Sequence, residues 1–207
     1  MNNLAYGKQK PEDVAPRVEE IIRKDLGLSL EMPYFIEEAG AETGTFATMA
    51  QDAAKIIFGG KETLLFNIRF DITNPRPATI LVNVNRQGIG CHAGSITFTT
   101  FVNKPISSEV ALEEPKTFGT SKFKGDADAS TKLNGNKDLL KAADKFARVK
   151  SDVGGGLTMD RYFKVVPAAG GCNIVVITLP RATSMGIGAT TDAKDFFSLA
   201  AMIESAL

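Results

Sequence analysis

Residues 61–73 read KETLLFNIRFDIT, and this stretch decides the fold because its apolar residues recur at every second position. Successive side chains of a β-strand point to opposite faces, so an alternating sequence separates an apolar face from a polar one. The pattern predicts a strand with one buried face and one solvated face, which is typical of an antiparallel sheet. The apolar set is Leu64, Phe66, Ile68, Phe70 and Ile72, and the polar set is Asn67, Arg69 and Asp71.

Two more strands follow and complete a predicted meander. Residues 74–77 read NPRP and predict a turn, because two prolines and an asparagine cannot continue a hydrogen-bonded ladder. Residues 79–86 alternate again, and a second turn is predicted at 87–90. The third strand is predicted over 95–102, where Ile96, Phe98 and Thr100 lie opposite Thr97, Thr99 and Phe101.

The residues before the meander predict helices and an edge strand. A helix is predicted over 11–26, with Gly27 as the glycine that follows its last turn. Within residues 28–40, Leu28, Leu30 and Met32 alternate with polar residues as in a short edge strand, and Pro33 excludes a central strand. Apolar residues at helical spacing predict a second helix over 45–58.

The residues after the meander change in character. Residues 103–135 contain few apolar residues, in no regular pattern, and are punctuated by proline and glycine. This composition predicts a long surface loop or insertion, with one short strand around 110–112. Asn136 is a good N-cap for a helix that is predicted to run to about residue 151.

The C-terminal third predicts a hairpin and a last helix. Strands are predicted at 157–166 and 172–179, joined by a tight turn, and the second is apolar enough to be buried on both faces. Thr191 or Asp192 caps the last helix. That helix is apolar around much of its girth, so it is either enclosed or part of an interface. Its apolar residues are Phe196, Phe197, Leu199, Ala200, Met202, Ile203 and Leu207.

Taken together, the elements predict an α+β fold in which helices pack on an antiparallel sheet made of a meander and a hairpin. The order is α-(α)-βββ-α-ββ-α. The length of 207 residues suits one domain spanning 1–207.

This order resembles the type III secretion chaperone-like fold, which the YbjN-like family shares. Residues 22–32 (IRKDLGLSLEM) resemble the end of the first helix of such chaperones, where Leu-Gly-Leu leads into a polar turn. The helix from 139, the hairpin and the last helix resemble those of YbjN-like proteins. The resemblance implies a non-enzymatic protein that dimerises and holds a peptide or protein partner on its sheet or helix surface.

Composition limits the classes of partner. The 24 basic and 24 acidic residues give zero net charge, which argues against a nucleic-acid binder and favours recognition through shape and apolar contact. No window of about 20 mainly apolar residues exists, so no membrane span is expected. The first residues lack the apolar core of a secretory signal, and the two cysteines fit a reducing, cytoplasmic location.

Several short motifs have a chemical and a structural interpretation. Cys91 and His92 could form a thiol–imidazole pair, but adjacent residues of an extended chain point to opposite sides. The glycines at 88–94 precede a strand and not a helix, so they do not predict a dinucleotide site. The stretch 186–191 leads into a helix and either binds an anion or is a flexible connection. No cofactor and no metal site is predicted.

The favoured function is a non-catalytic, chaperone-like protein-binding or assembly module, expected to form a homo-oligomer. Its expected partner-binding residues are Phe196, Phe197, Met202, Ile203, Arg69 and Asp71. Arg69 and Asp71 share a polar sheet face with Asn67, Asn83 and Asn85, and that face is either a binding platform or simply solvated. The alternative is a small-molecule-binding protein or an enzyme whose pocket, between sheet and helices, uses Arg69, Asp71 or His92. A third interpretation is a subunit of a larger particle, in which 103–135 orders against a neighbour.

Overall fold

The computed structural model describes residues 11–27, 33–38, 63–87, 90–113, 121–147, 151–152, 158–159, 162–178 and 193–207. The helices in these ranges are α1 (Pro11–Leu26), α2 (Ala127–Gly135), α3 (Lys137–Ala147) and α4 (Ala193–Ala206). The strands are β1 (Tyr34–Glu38), β2 (Thr63–Ile72), β3 (Ala78–Gln87), β4 (Gly90–Val102), β5 (Val110–Glu113), β6 (Lys122–Gly125), β7 (Ser151–Asp152), β8 (Thr158–Met159), β9 (Tyr162–Ala168) and β10 (Gly171–Thr178).

Eight of these strands form one antiparallel sheet, in the order β1-β2-β3-β4-β10-β9-β5-β6. The meander β2–β4 and the hairpin β9–β10 lie at its centre, which confirms the predicted α+β class. The sheet is larger than the prediction because β1 extends one side and the pair β5–β6 extends the other. β7 and β8 form a separate two-stranded sheet.

The first face of the sheet carries the main hydrophobic core. Phe70, Ile80 and Phe98 point to this face and are fully buried in one cluster with residues from all four helices. The Phe98 ring stacks on Phe196 of α4 with ring centroids 5.2 Å apart. Each such side chain contributes roughly 1.5–3 kcal/mol to the free energy of unfolding through burial, so this face supplies most of the stability.

The second face of the sheet is not solvated throughout, so the predicted one wet face is wrong. Asn67, Asn83 and Thr97 point to it and are at most 3% exposed. Val175 and Ile177 of β10 point the same way, are also buried, and form a small second apolar cluster. The alternation in the sequence correctly sorted residues between the two faces, but alternation carries no information on whether a face is covered.

Residues 103–135 are not the predicted long loop. The expected short strand exists as β5, and it pairs with β6, a second strand of four residues, before α2 begins. Gly125 makes this corner possible, because its φ is +129° and a Cβ there would lie 1.9 Å from the Glu109 carbonyl oxygen. Strands this short give no readable alternation, and that is why the sequence pattern missed β6.

The observed helix bounds agree with the predicted ones where the sequence shows a clear capping residue. α1 has the predicted bounds. Asn136 caps α3 as predicted, since its Oδ1 accepts a hydrogen bond from the Leu139 N–H at 3.0 Å. α3 ends at Ala147, four residues earlier than predicted, and the strand β7 occupies the predicted end.

The remaining differences are shifts of boundaries. The edge strand β1 begins after Pro33, and β4 begins at Gly90, five residues earlier than predicted. The strand predicted at 157–166 is divided between β8 and β9, and the tight turn before β10 is confirmed by a glycine with φ +76° at Gly170. The helix predicted at 45–58, the alternating residues 28–32 and the caps Thr191 and Asp192 lie outside the described residues.

Candidate functional site

The apolar residues predicted to contact a partner through the last helix lie inside the protein. Phe196, Phe197 and Ile203 of α4 are between 0% and 6% exposed and belong to the first-face core. Met202 is half-buried and packs against the same core. Of the two interpretations of this helix, the enclosed one is observed, because the sheet and α1 to α3 cover its apolar sides. These side chains offer a partner little surface in this structure.

Arg69 and Asp71, the other two predicted residues, do meet on the second face. Arg69 Nη2 lies 2.9 Å from Asp71 Oδ2, and Arg69 Nη1 lies 3.3 Å from Glu37 Oε1 on the neighbouring strand. The hydrogen bond to Asp71 raises the pKa of Arg69 above its ordinary value, with Glu37 adding to the effect. The side chains of Arg69 and Asp71 are 40% and 41% exposed, so the ion pair remains accessible to solvent.

An exposed aromatic ring lies against this ion pair. The guanidinium carbon of Arg69 lies 4.9 Å from the centroid of the Phe35 ring, within the range of a cation–π contact. Phe35 is opposite Arg69 in the β1–β2 register, and its side chain is 46% exposed. A large apolar side chain is thus held at the surface by a neighbouring cation.

A second exposed aromatic residue, Phe101, lies on the same face. The register runs from Phe35 to Arg69, then to Leu81 and to Thr97 of β4, and Phe101 follows Thr97 at an even spacing of four residues. Its side chain is 47% exposed. From the strand spacing and the rise per residue, the two aromatic residues are about 20 Å apart along a diagonal of the sheet.

The residues between the two rings are polar and half-buried. Asp71, Thr79 and Thr99 are consecutive partners across β2, β3 and β4, and Thr79 Oγ1 donates to Asp71 Oδ1 at 3.3 Å. We call the set Phe35, Arg69, Asp71, Thr79, Thr99 and Phe101 the aromatic band. Aromatic residues and arginine are the types enriched where proteins bind one another.

The Phe101 ring crosses a glycine on the adjacent strand. A Cβ at Gly171 would lie 2.7 Å from Phe101 Cζ and 2.2 Å from the Val102 carbonyl oxygen, so only glycine leaves room for the ring there. The ring is therefore supported from below while its other side stays exposed. The sequence placed Phe101 on the polar face but gave no sign that its ring would be accessible, and Phe35 lies in a stretch with an ambiguous pattern.

Three buried polar atoms near the band have no hydrogen-bond partner among the described residues. They are Asn67 Oδ1, Arg69 Nε and Thr97 Oγ1, and all three side chains project from the second face. Asn83, which is opposite Asn67, does have a partner. A buried unpaired group costs roughly 1–3 kcal/mol of stability, so this part of the second face is not optimised for stability alone.

Among the carboxylates that the structure describes, Asp126 has the most strongly shifted pKa, and its role is structural. Its side chain caps α2 by accepting from the Ala129 N–H at 2.9 Å, and it accepts from the Ser107 N–H at 2.8 Å and from the Ser107 hydroxyl. These hydrogen bonds, led by the Ser107 hydroxyl, hold the pKa of Asp126 well below its usual range. A carboxylate this acidic is a poor general base at neutral pH.

The structure places the second cysteine, Cys172, and the backbone of His92. Cys172 is completely buried, and desolvation, with a smaller contribution from Glu204, raises its thiol pKa to about 11. His92 pairs with Asn85, whereas Asp71 lies in the register of Thr99, so the two sites are roughly 24 Å apart along β4. The structure does not bring His92 to Arg69 and Asp71. The side chains of Cys91 and His92 and the stretch 186–191 lie outside the description.

Metal sites, membrane spans and similarity to known proteins are the remaining indicators of function. Within the described ranges, His, Cys, Asp and Glu side chains form no group of three that could hold a metal ion. None of the helices that the structure describes is long and apolar enough to cross a membrane. Comparisons of the chain with protein-family models, curated proteins and solved structures find no match.

Proposed function

We propose that this protein is a non-catalytic protein-binding and assembly module, chaperone-like in its mode of action, that works through the aromatic band on the second face of its sheet. The observation that carries the proposal is the pair of exposed aromatic residues, Phe35 and Phe101. They are the large hydrophobic side chains that the described residues leave at the surface, and both project from one sheet face.

Arg69 supports this proposal because it preorganises one end of the band. Its guanidinium is fixed by two carboxylates, on Asp71 and Glu37, and lies over the Phe35 ring. A partner that covers Phe35 therefore meets side chains that are already ordered, and it avoids part of the entropy cost of association. Arginine and aromatic residues with this preorganisation are typical binding hot spots.

The proposed partner is a protein, namely a second copy of this chain. The distance of about 20 Å between the two rings, estimated from strand geometry, fits within a contact of roughly 800 Å² per partner, as in standard protein interfaces. The balanced charges of 24 and 24 avoid general repulsion between copies. The two cysteines favour a cytoplasmic location for this assembly.

Photo-crosslinking on the purified full chain tests the proposal. The photoreactive residue p-benzoyl-phenylalanine replaces Phe101 in one variant, Phe35 in another and Lys141 in a control. Lys141 lies on α3 and is exposed. Irradiation at micromolar concentration is expected to give a covalent dimer from the first two variants and none from the control, because only the band faces the partner copy.

Mapping the crosslinked peptides by mass spectrometry identifies the contact. Crosslinks that join residue 101 or 35 to the second-face strands of another copy support the proposal. Crosslinking at the level of the Lys141 control contradicts it, because a surface that binds partners must be in contact with one more often than an arbitrary exposed position.

A further inference from the structure

A second candidate site is a cleft beside α4, on the helical side of the protein. It is an open cleft bordered by the end of α1, the turn between β2 and β3, and α4, and its volume is about 740 Å³. This volume is within the range of ~300–1,000 Å³ that is typical of small-molecule sites. The cleft is lined by residues that the structure describes, and none of them belongs to the band.

One wall of the cleft is a face of α4 that carries small side chains. Lys194, Ser198 and Ala201 are spaced by four and three residues, so they lie on one side of the helix, and all three are exposed. Ser198 and Ala201 leave space above the helix. Leu26 of α1, Pro75 of the turn and Phe197 of α4 add apolar surface around that space.

The two ends of the cleft differ in charge. At one end, Arg76 Nη1 lies 2.9 Å from Glu204 Oε2, and Arg76 Nη2 donates to the Phe101 carbonyl oxygen at 3.3 Å, so this cation is already paired. At the other end, Lys194 forms no ion pair or hydrogen bond with the described residues. Ten residues of helix separate Lys194 from Glu204, a distance of about 15 Å.

We propose that this cleft binds an amphipathic carboxylate. The carboxylate lies at Lys194, and the apolar chain runs over Ala201 beside Leu26 and Phe197 toward the Arg76–Glu204 pair. The cleft and this ligand match in charge and in surface. The ligand's carboxylate meets Lys194, which is unpaired among the described residues, and its chain meets the apolar middle of the cleft. The far end of the chain meets an ion pair that carries no net charge. Among the described residues that line the cleft, the carboxylate is Glu204, which is already paired with Arg76, so a ligand with a cationic head meets no free carboxylate in this lining.

Isothermal titration calorimetry with three probes of equal chain length tests the head-group preference. Octanoate, octanol and octylammonium are titrated into the full chain below the concentrations at which they aggregate. Octanoate is expected to bind with 1:1 stoichiometry and about two- to fivefold more tightly than the other two, since an ion pair with an exposed lysine contributes no more than about that factor. Equal affinities for the three probes, or binding of none of them, would overturn the proposal.

Three variants locate the binding. Ala201→Phe fills the cleft and is expected to abolish octanoate binding, and Ser198→Leu serves the same purpose if the first variant does not fold. Lys194→Gln is expected to weaken octanoate binding about two- to fivefold and to leave octanol unchanged. Lys141→Gln removes an exposed cation from α3 and is the matched control, expected to bind as the unmodified chain does. Unchanged binding of octanoate by a folded cleft-filling variant contradicts this location.

Discussion

The two faces of the eight-stranded sheet use the same strands for different purposes. On β4, Phe98 and Thr100 point to the first face, where the phenylalanine is completely buried and the threonine hydroxyl donates to the Pro77 carbonyl oxygen at 2.7 Å. Thr97 and Phe101 point to the second face, where the threonine hydroxyl is buried with no partner in the part of the chain that the structure describes and the phenylalanine is 47% exposed. On the first face the aromatic ring is buried and the hydroxyl is hydrogen-bonded. On the second face the ring is exposed and the hydroxyl has no partner among the described residues.

Under the proposed function, this difference separates the residues that stabilise the fold from those that bind a partner. Residues that are packed and hydrogen-bonded stabilise the fold, so they have little left to offer a partner. An exposed ring such as Phe101 can be covered by a partner, whereas a buried unpaired hydroxyl such as Thr97 Oγ1 lowers the stability of the isolated chain. We therefore expect substitutions on the two faces to separate a loss of folding from a loss of association.

The largest expected effect is the contrast between two phenylalanines on one strand. Phe98→Ala is expected to lower the free energy of unfolding by about 3–5 kcal/mol, because it leaves a cavity beneath Phe196. Phe101→Ala is expected to change it by less than about 1 kcal/mol, as for other surface positions. Urea denaturation followed by circular dichroism measures both. Equal losses for the two variants would contradict the division between the faces.

The next contrast uses two buried threonines of β4, for which we expect changes of opposite sign in the free energy of unfolding. Thr100→Val removes a hydrogen bond and leaves the Pro77 carbonyl without that donor, so a loss of about 1 kcal/mol is expected. Thr97→Val replaces an unpaired hydroxyl by a methyl group of the same shape and is expected to be neutral or stabilising by up to about 1 kcal/mol. The same denaturation series compares them. A clear loss in Thr97→Val would show that its hydroxyl is paired in solution.

Asp126, whose carboxylate is hydrogen-bonded, predicts how the stability of the fold depends on pH. Because the pKa of Asp126 is lowered by folding, its contribution to stability is complete above its unfolded pKa of about 4 and is lost as the pH falls below that value. Asp126→Asn is expected to be less stable than the unmodified chain at pH 7 and to show a smaller further loss between pH 5 and pH 2. Thermal melts across this range measure the difference. Parallel pH profiles would exclude a lowered pKa at this residue.

The smallest expected effect on stability is that of Arg69. Arg69→Gln removes two accessible ion pairs and a cation–π contact, which together are expected to change the free energy of unfolding by less than about 1 kcal/mol. Association of the chain is expected to weaken by much more, because the Phe35 ring loses its support. Urea denaturation and a concentration series of the apparent mass measure the two quantities. A large loss of stability with unchanged association would show that Arg69 stabilises the fold and does not support binding.

The sequence predicted those parts of the fold that depend on local pattern. The alternation of β2, the N-cap Asn136 and the glycine after α1 each have a local cause, and each was placed correctly. Burial of the second face depends on contacts between distant residues, so no local pattern reveals that Asn67 is covered while Phe101 is exposed.

The candidate site was predictable only in part for the same reason. Arg69 and Asp71 are two residues apart on one strand, so their meeting follows from strand geometry. The contribution of Phe35 requires β1 to pair with β2 in one register, which short ambiguous strands do not specify. The apolar residues of α4 gave two possible readings, enclosed or interfacial, and only the packing against Phe98 distinguishes them.

Light scattering coupled to size-exclusion chromatography tests the central claim most directly. At micromolar concentration the unmodified chain is expected to have the mass of a dimer, and the double variant Phe35→Ser, Phe101→Ser the mass of a monomer, with similar melting temperatures. A strictly monomeric unmodified chain, or a double variant that remains dimeric, would contradict the assignment of the aromatic band as the binding surface.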